Sequence, residues 1–348
     1  MRLKVCILSN ENPLSHLLWV DAIEKNHKIS SYSIVNLTSD TWYNELVNQE
    51  NDLFLLRPPG QTELFKRLYD ERVLLISQTF KTPIYPSLTE VLIYENKRFL
   101  RDWLVAKKLP HPKTFVFFDF EEAKQFADTL KAFPIVGKTN IGASGNGVLI
   151  IKNRKELSTY INKAFSIGIS PKTGPKIRKG SLLKKLRKVF EKPGFLKQRL
   201  KDYKKTELNN QYNFLILQEF IPHGFEWRCV VIGDSYFAHK KLVVGEKSSG
   251  TLLKGYDDVP KSLLNFVRSI SVENNLTSVA IDVFEHKGGY LINEIQCFFG
   301  QSDPYQMLVD GEPGRYVYKD KQWLFEEGMF NTNENYDLRL QHALSLIE

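Results

Sequence analysis

Short apolar runs, each closed by polar or turn residues, set the rhythm of the first part of the chain. KVCILS (4–9) has the continuous apolar character of a buried strand, and Leu17, Leu18 and Ile23 then fall at helical spacing. DLFLLR (52–57), closed by the turn Pro58-Pro59-Gly60, and VLLIS (73–77) read as the second and third strands. Strands separated by helical stretches predict a small parallel α/β domain over residues 1–95. In such sheets the loops after the strands face a ligand, and here those loops carry His16 and Arg57.

Helical spacing returns over 95–109, where Phe99, Leu100, Trp103 and Leu104 share a face and Pro110 and Pro112 end the run. A strand at 114–118 and a helix over EEAKQFADTLKAF follow. Next come an apolar run climbing to Lys138, a glycine-rich loop, a second apolar run from Val148, and a helix near Lys155. Past residue 210 the pattern turns β-rich, in NFLILQEFI, WRCVVIG and YFAHKKLVV. A helix near 260–274 then leads into SVAIDVFEHKGGYLINEIQCFF, two strands joined by a glycine turn. This divides the chain into 1–95, 96–215 and 216–348. The polar stretch after residue 300 holds Tyr305 and Arg315 as candidate substrate contacts.

Composition changes this picture in one place. The 348 residues, 42% hydrophobic and 25% charged, are ordinary for a globular protein, and no apolar run is long enough to span a bilayer. The start lacks the apolar core and cleavage site of a signal peptide, and Cys6, Cys229 and Cys297 form no CxxC pair. A reduced, cytoplasmic protein is expected. The net charge is +8, yet residues 166–210 hold fourteen Lys and Arg against three acids, which leaves the remainder at −3. In that insert SLLKKLRKVF places Leu182, Leu183, Leu186, Val189 and Phe190 at helical spacing opposite four cations. Packing on its own domain, contact with anionic lipid and contact with a polyanionic acceptor are the open readings. No aromatic interleaving or nucleic-acid module accompanies it, so nucleic acid is not an expected partner.

The chemistry gathers around FPIVGKTNIGASGNGVLII (133–151). A Walker P-loop requires glycine at position 132, which is Ala132, and reading from Gly142 to Gly147 meets Val148 where lysine is needed. A dinucleotide GxGxxG fails at Ile150. What remains is a strand lysine, Lys138, followed by a loop whose glycines let backbone N–H groups close on phosphate. Downstream stand Glu219, Glu226, Asp282, Glu294 and Gln296. Alternation puts Tyr290, Ile292, Glu294 and Gln296 on one face, and a three-residue turn at 287–289 sets Asp282 opposite Glu294. Opposed carboxylates repel by up to about 1 kcal/mol, and a divalent cation between them reverses the sign. Cys297 alternates to the other face and reads as core.

In order and spacing this set resembles the ATP-grasp superfamily over roughly residues 90–300. The resemblance implies two α+β subdomains clasping ATP, preceded by the small parallel α/β domain. It implies that Lys97 and Lys138 contact phosphates, with Gly142, Ser144 and Gly145 in the covering loop. Gln218, Glu219, Phe220 and Ile221 would hold adenine, and Glu226 the ribose hydroxyls. Asp282, Glu294 and Gln296 would bind Mg²⁺ or Mn²⁺, glutamine standing where the superfamily has asparagine. Trp227-Arg228 resembles the branch of peptide and amino-acid ligases, in which Arg228 and a lysine of the pair Lys240-Lys241, taken as Lys241, face phosphate or acyl group. The activity implied is an ATP-dependent ligase joining a small-molecule or peptide carboxylate to an amine. A small-molecule kinase and a nucleotide-binding regulator without turnover are the alternatives, and a homodimer is compatible with the sequence.

Overall fold

The computed structural model describes residues 3–142, 146–171, 209–244, 247–248, 253–256, 259–300 and 303–348. Most of the basic insert, residues 172–208, lies outside them, as do Ser144 and Gly145. Two compact units emerge, one made of Met1–Pro112 with Ile221–Glu348 and the other of Lys113–Phe220.

The larger unit contains two sheets. Strands β1 (Leu3–Ser9), β2 (Ile29–Asn36), β3 (Leu53–Leu56) and β4 (Ile84–Tyr85) form a parallel sheet in the order β2-β1-β3-β4. VLLIS does not take the expected third strand. It lies in the helix Glu63–Thr79, whose N-cap Thr62 accepts from Phe65 N. Tyr69, Val73 and Ile76 are buried at helical spacing, whereas Leu74 and Leu75 are more than 40% exposed, so burial follows a period near 3.6. Ile84–Tyr85 supplies the strand instead.

The second sheet of this unit is antiparallel and runs through β9 (Phe225–Ile232), β10 (Ser235–Val244), β13 (Ser278–His286) and β14 (Gly289–Gln296), with β11 (Lys247–Ser248) and β12 (Lys254–Gly255) on β10, and is joined by β15 (Leu308–Val309), β16 (Glu312–Lys319) and β17 (Gln322–Glu327). Residues from both sheets, among them Val5, Ile7, Val231, Ile281 and Ile295, bury into one core with the helix residues Trp19 and Leu340. The helix Lys97–Ala106 adds Leu100, Trp103 and Leu104 to that core. A second cluster fills the other face of the parallel sheet, around Cys6, Leu8, Phe54 and Tyr69.

The smaller unit is a four-stranded antiparallel sheet of β5 (Thr114–Phe117), β8 (Leu215–Glu219), β6 (Ile135–Lys138) and β7 (Val148–Ile151), in that order. The helices Phe120–Thr129 and Arg154–Ala164 pack their apolar stripes on it. Gly137 lies inside β6 rather than in the loop. A Cβ there would come within 2.7 Å of the Tyr160 ring, so the residue serves close packing, not loop freedom. Gly137→Ala is expected to destabilise this unit by about 1–3 kcal/mol through overpacking, read as a lower urea midpoint.

Candidate active site

The antiparallel sheet of the larger unit builds one charged face from cross-strand neighbours. Arg228 on β9 pairs in register with Asp282 on β13, and Glu226 pairs with Lys241 on β10. Alternation then points Glu226, Arg228 and Lys241 to the same side. Arg228 donates bidentately to Asp282, Nε to Oδ1 at 2.9 Å and Nη2 to Oδ2 at 3.0 Å. Lys241 Nζ reaches Asp282 Oδ2 at 2.7 Å and Glu226 Oε2 at 2.8 Å. Lys240 goes to the other side, over the rings of Phe225 and Trp227. Of the two lysines, Lys241 is the one on the acidic face.

Asp282 does face Glu294, by a route other than the one expected. The turn has two residues, Lys287 and Gly288, both with positive φ, the geometry that matches strand twist in tight hairpins. A bulge between Asp282 and Val283 then shifts the register by one. Ile292 consequently joins Ile295 and Cys297 in the core and does not share a face with Glu294. Asn293, which the alternation placed elsewhere, donates to Glu226 Oε1 at 3.3 Å. Only a hairpin's own register reveals such a residue.

Lys97, at the start of its helix, lies 3.3 Å from Glu294 Oε1. Gln296 donates through Nε2 to Glu95 Oε1 at 3.1 Å, which leaves its carbonyl oxygen as the atom with ligand capacity. Glu95 is 3% exposed and holds a φ of 48°, a left-handed conformation costly for a non-glycine residue. Nothing in its sequence neighbourhood announces it.

Electrostatics explain how these charges coexist. Burial alone would raise the Asp282 pKa, but Arg228 and Lys241 outweigh it and hold the carboxyl well below the usual range. Burial would lower Lys97 and Lys241, and adjacent carboxylates raise both instead: Glu294 and Glu95 for Lys97, Asp282 and Glu226 for Lys241. The repulsion expected between Asp282 and Glu294 is thus offset by side-chain cations, and their opposition alone does not demand a metal.

The donor set nevertheless fits a hard cation. Asp282, Glu294 and the Gln296 carbonyl offer oxygen ligands on adjoining strands. Among the described residues no three or more His, Cys, Asp or Glu side chains group into a ready metal cage. Mg²⁺ bound through one or two carboxylates and phosphate oxygens needs no such cage.

His239, on β10, pairs in register with Arg228 on β9 and is 2% exposed, with Nδ1 bonded to Gln306 O at 2.8 Å. Burial, with Arg228 adding to it, pushes its pKa from 6.5 down to about 3. Between these values the unfolded chain binds a proton that the folded chain does not, so stability falls as pH falls. The expected slope is ~1.4 kcal/mol per pH unit. His239→Asn should flatten the urea midpoint between pH 6 and 4 by that amount.

In the smaller unit Lys138 ends β6, half-buried, opposite Val148 and Ile216. The loop stem beyond it is tightly built. Thr139 N donates to Gly147 O, and Thr139 Oγ1 donates to Ile141 O. Gly147 has φ 73° and no room for a Cβ beside Thr139, while a Cβ on Gly142 would strike the Asn146 carbonyl. Gln211 accepts from Asn140 N and Ile141 N and donates to Ile141 O, a clamp the sequence did not reveal. Gln218 is buried and donates to Thr114 Oγ1, whereas Glu219 is exposed, with its carboxylate at Lys113 N. The chain leaves the smaller unit between Phe220 and Ile221, and Ile221 O is bonded to His223.

One other sequence candidate, Arg315, has structural partners, and Cys297 lies in the core as its alternation indicated. Arg315 binds Glu326 through Nε and Nη2 and Ser235 through Nη1, and Cys297 is fully buried.

The chain has the ATP-grasp fold. A carboxyaminoimidazole ribonucleotide synthase from Aspergillus clavatus, solved with ATP, superposes with a TM-score of 0.57 at 10% identity, covering 99% of this chain and 77% of that one. D-alanine–D-alanine ligase from Bacillus anthracis, also with ATP, gives 0.53 at 13% identity over 99% and 98% of the two chains. A RimK domain protein from Sphaerobacter thermophilus gives 0.51 at 15% identity over 85% and 92%. In sequence, the phosphoribosylamine–glycine ligase of Fusobacterium nucleatum is 29% identical over 138 residues, 39% of this chain. The match spans only 31% of that curated relative's length. No family model matches the chain. Among the described residues no helix is long and apolar enough to cross a membrane.

Proposed function

We propose that the protein is an ATP-dependent ligase that activates a carboxylate as an acyl phosphate and passes the acyl group to an amine. The observation that carries this reading is the charged face itself, where Lys97, Arg228 and Lys241 stand among Glu226, Asp282 and Glu294. Such a set suits exchange of partners. Phosphate oxygens would take the cations, and Asp282, Glu294 and the Gln296 carbonyl would hold Mg²⁺ or Mn²⁺, a Lewis acid that would supply neutralisation of phosphate charge.

Arg228 and Lys241 are proposed to stabilise the transferring phosphoryl and the acyl phosphate, with Lys97 and Lys138 on the remaining phosphate charge. Gln218, Glu219, Phe220 and Ile221 are proposed adenine contacts, and Glu226 a ribose contact. Gly142, Ser144 and Gly145 are proposed phosphate contacts, the last two lying outside the described residues. The carboxylate oxygen attacks the γ-phosphorus and ADP leaves. The amine then attacks the acyl carbon, phosphate departs, and the nitrogen loses a proton.

A screen of amino acids, amino sugars and small carboxylates with Mg²⁺ and Mn²⁺ tests this. ADP and phosphate in equal amounts, dependent on both a carboxylate and an amine, are expected. ADP without phosphate would instead indicate a kinase, and ATP binding without turnover under any acceptor a regulator.

A further inference from the structure

Beyond this charged face, the larger unit holds a guanidinium with no polar partner among the described residues. Arg339, on the helix Tyr336–Ser345, is 0% exposed, and its Nε, Nη1 and Nη2 all lack a hydrogen bond. Its Cζ lies 4.5 Å from the ring centroid of Phe299, 5.0 Å from Phe298 and 5.2 Å from Tyr336. Aromatic faces offset part of the cost of burying a cation. They leave its N–H groups unbonded and its charge unneutralised, and such a group persists in a native fold only with a counter-charge.

Two further observations concern residues beside it, one preceding it on the same helix and one on the Phe298 ring it shares. Asn335 occupies the N-cap of that helix, where asparagine ordinarily accepts from a backbone N–H, yet it makes no such bond. It is fully buried, and both Oδ1 and Nδ2 are without partners. It ends a run of three left-handed residues, Asn333 to Asn335, an arrangement that costs energy at each position. Second, Arg57, from the loop after β3, brings its Cζ to 4.7 Å from the Phe298 centroid and gives Nε to the Ser15 carbonyl rather than to a carboxylate. Side chains on a helix lean toward its N-terminus, so Arg339 and the positive end of the helix dipole act on one spot.

We infer that Arg339 and Asn335, with Arg57 on the shared Phe298 ring, form an oxyanion site for a carboxylate or phosphate group carried by the small-molecule substrate. Guanidinium and amide N–H groups suit planar or tetrahedral oxyanions. Phe298 lies two residues beyond Gln296, so the site is close in sequence to the proposed metal strand. That the anion belongs to a substrate rests on the ligase reading; the anion site does not.

The test is calorimetric titration of the full chain with inorganic phosphate and with acetate, beside thermal unfolding, for wild type, Arg57→Gln and Arg339→Met. A saturable anion is expected in the wild type, weakened about tenfold or more in both variants, with ATP affinity unchanged within about twofold. Phosphate binding alone would assign a phosphate group, and acetate binding alone a carboxylate. Arg339→Met should raise Tm in anion-free buffer and lose the anion-induced rise, because methionine fits an aromatic cage and removes the unneutralised charge. A purely structural arginine would instead lower Tm on replacement. Equal anion affinity in wild type and in folded Arg57→Gln, or a lowered anion-free Tm in Arg339→Met, overturns the site. Failure of ATP binding with the anion response intact would count against the ligase reading alone.

Discussion

Replacing Asp282 by alanine is expected to lower the unfolding free energy by about 3–5 kcal/mol, because it strands two buried cations. Arg228 loses both of its bonds to Oδ1 and Oδ2, and Lys241 keeps only Glu226 of its two ion-pair partners. Asp282→Asn retains the shape but not the charge and should lie between alanine and wild type. The pH dependence follows from the depressed pKa. A carboxyl held below its unfolded value contributes stability at neutral pH, and that contribution is lost as pH falls below about 3.8. Both variants should lose that part of the acid limb in urea unfolding. A wild-type-like midpoint in Asp282→Ala would mean that the Arg228 and Lys241 contacts contribute little to the fold.

Lys97→Met separates catalysis from stability. The Lys97–Glu294 pair is less enclosed, with Glu294 side chain 23% exposed, so its loss should cost about 1 kcal/mol of stability. Removing a cation proposed to neutralise phosphate charge should cost about 10²–10³ in kcat, the scale seen for single electrostatic stabilisers. ADP release and the urea midpoint, measured on one preparation, give both quantities. A variant with unchanged turnover would remove Lys97 from the phosphate contacts.

Much of this face was legible in the sequence because alternation along strands is a strong signal. The expected pairing of Asp282 with Glu294 is present, and a glycine turn announced the hairpin that makes it. Failures occurred where tertiary context overrides local pattern. VLLIS is apolar enough for a strand, and only its burial at Val73 and Ile76 shows the helix. The bulge beside Asp282 cannot be read from YLINEIQ, so Asn293 was missed and Ile292 misplaced. Glu95, Gln211 and Arg339 act through partners dozens of residues or more away, at Gln296, Ile141 and Phe299, which no local window connects. Nor does spacing reveal that Tyr160 lies against Gly137.

The most direct measurement follows oxygen. With a carboxylate and amine identified by the ADP screen, the carboxylate is supplied with ¹⁸O in both oxygens and the released phosphate is analysed by mass spectrometry. Activation through an acyl phosphate predicts one labelled oxygen in each phosphate and one retained in the amide product. Phosphate free of label, with ADP still formed, would show that the carboxylate never took the phosphoryl group and would contradict the account.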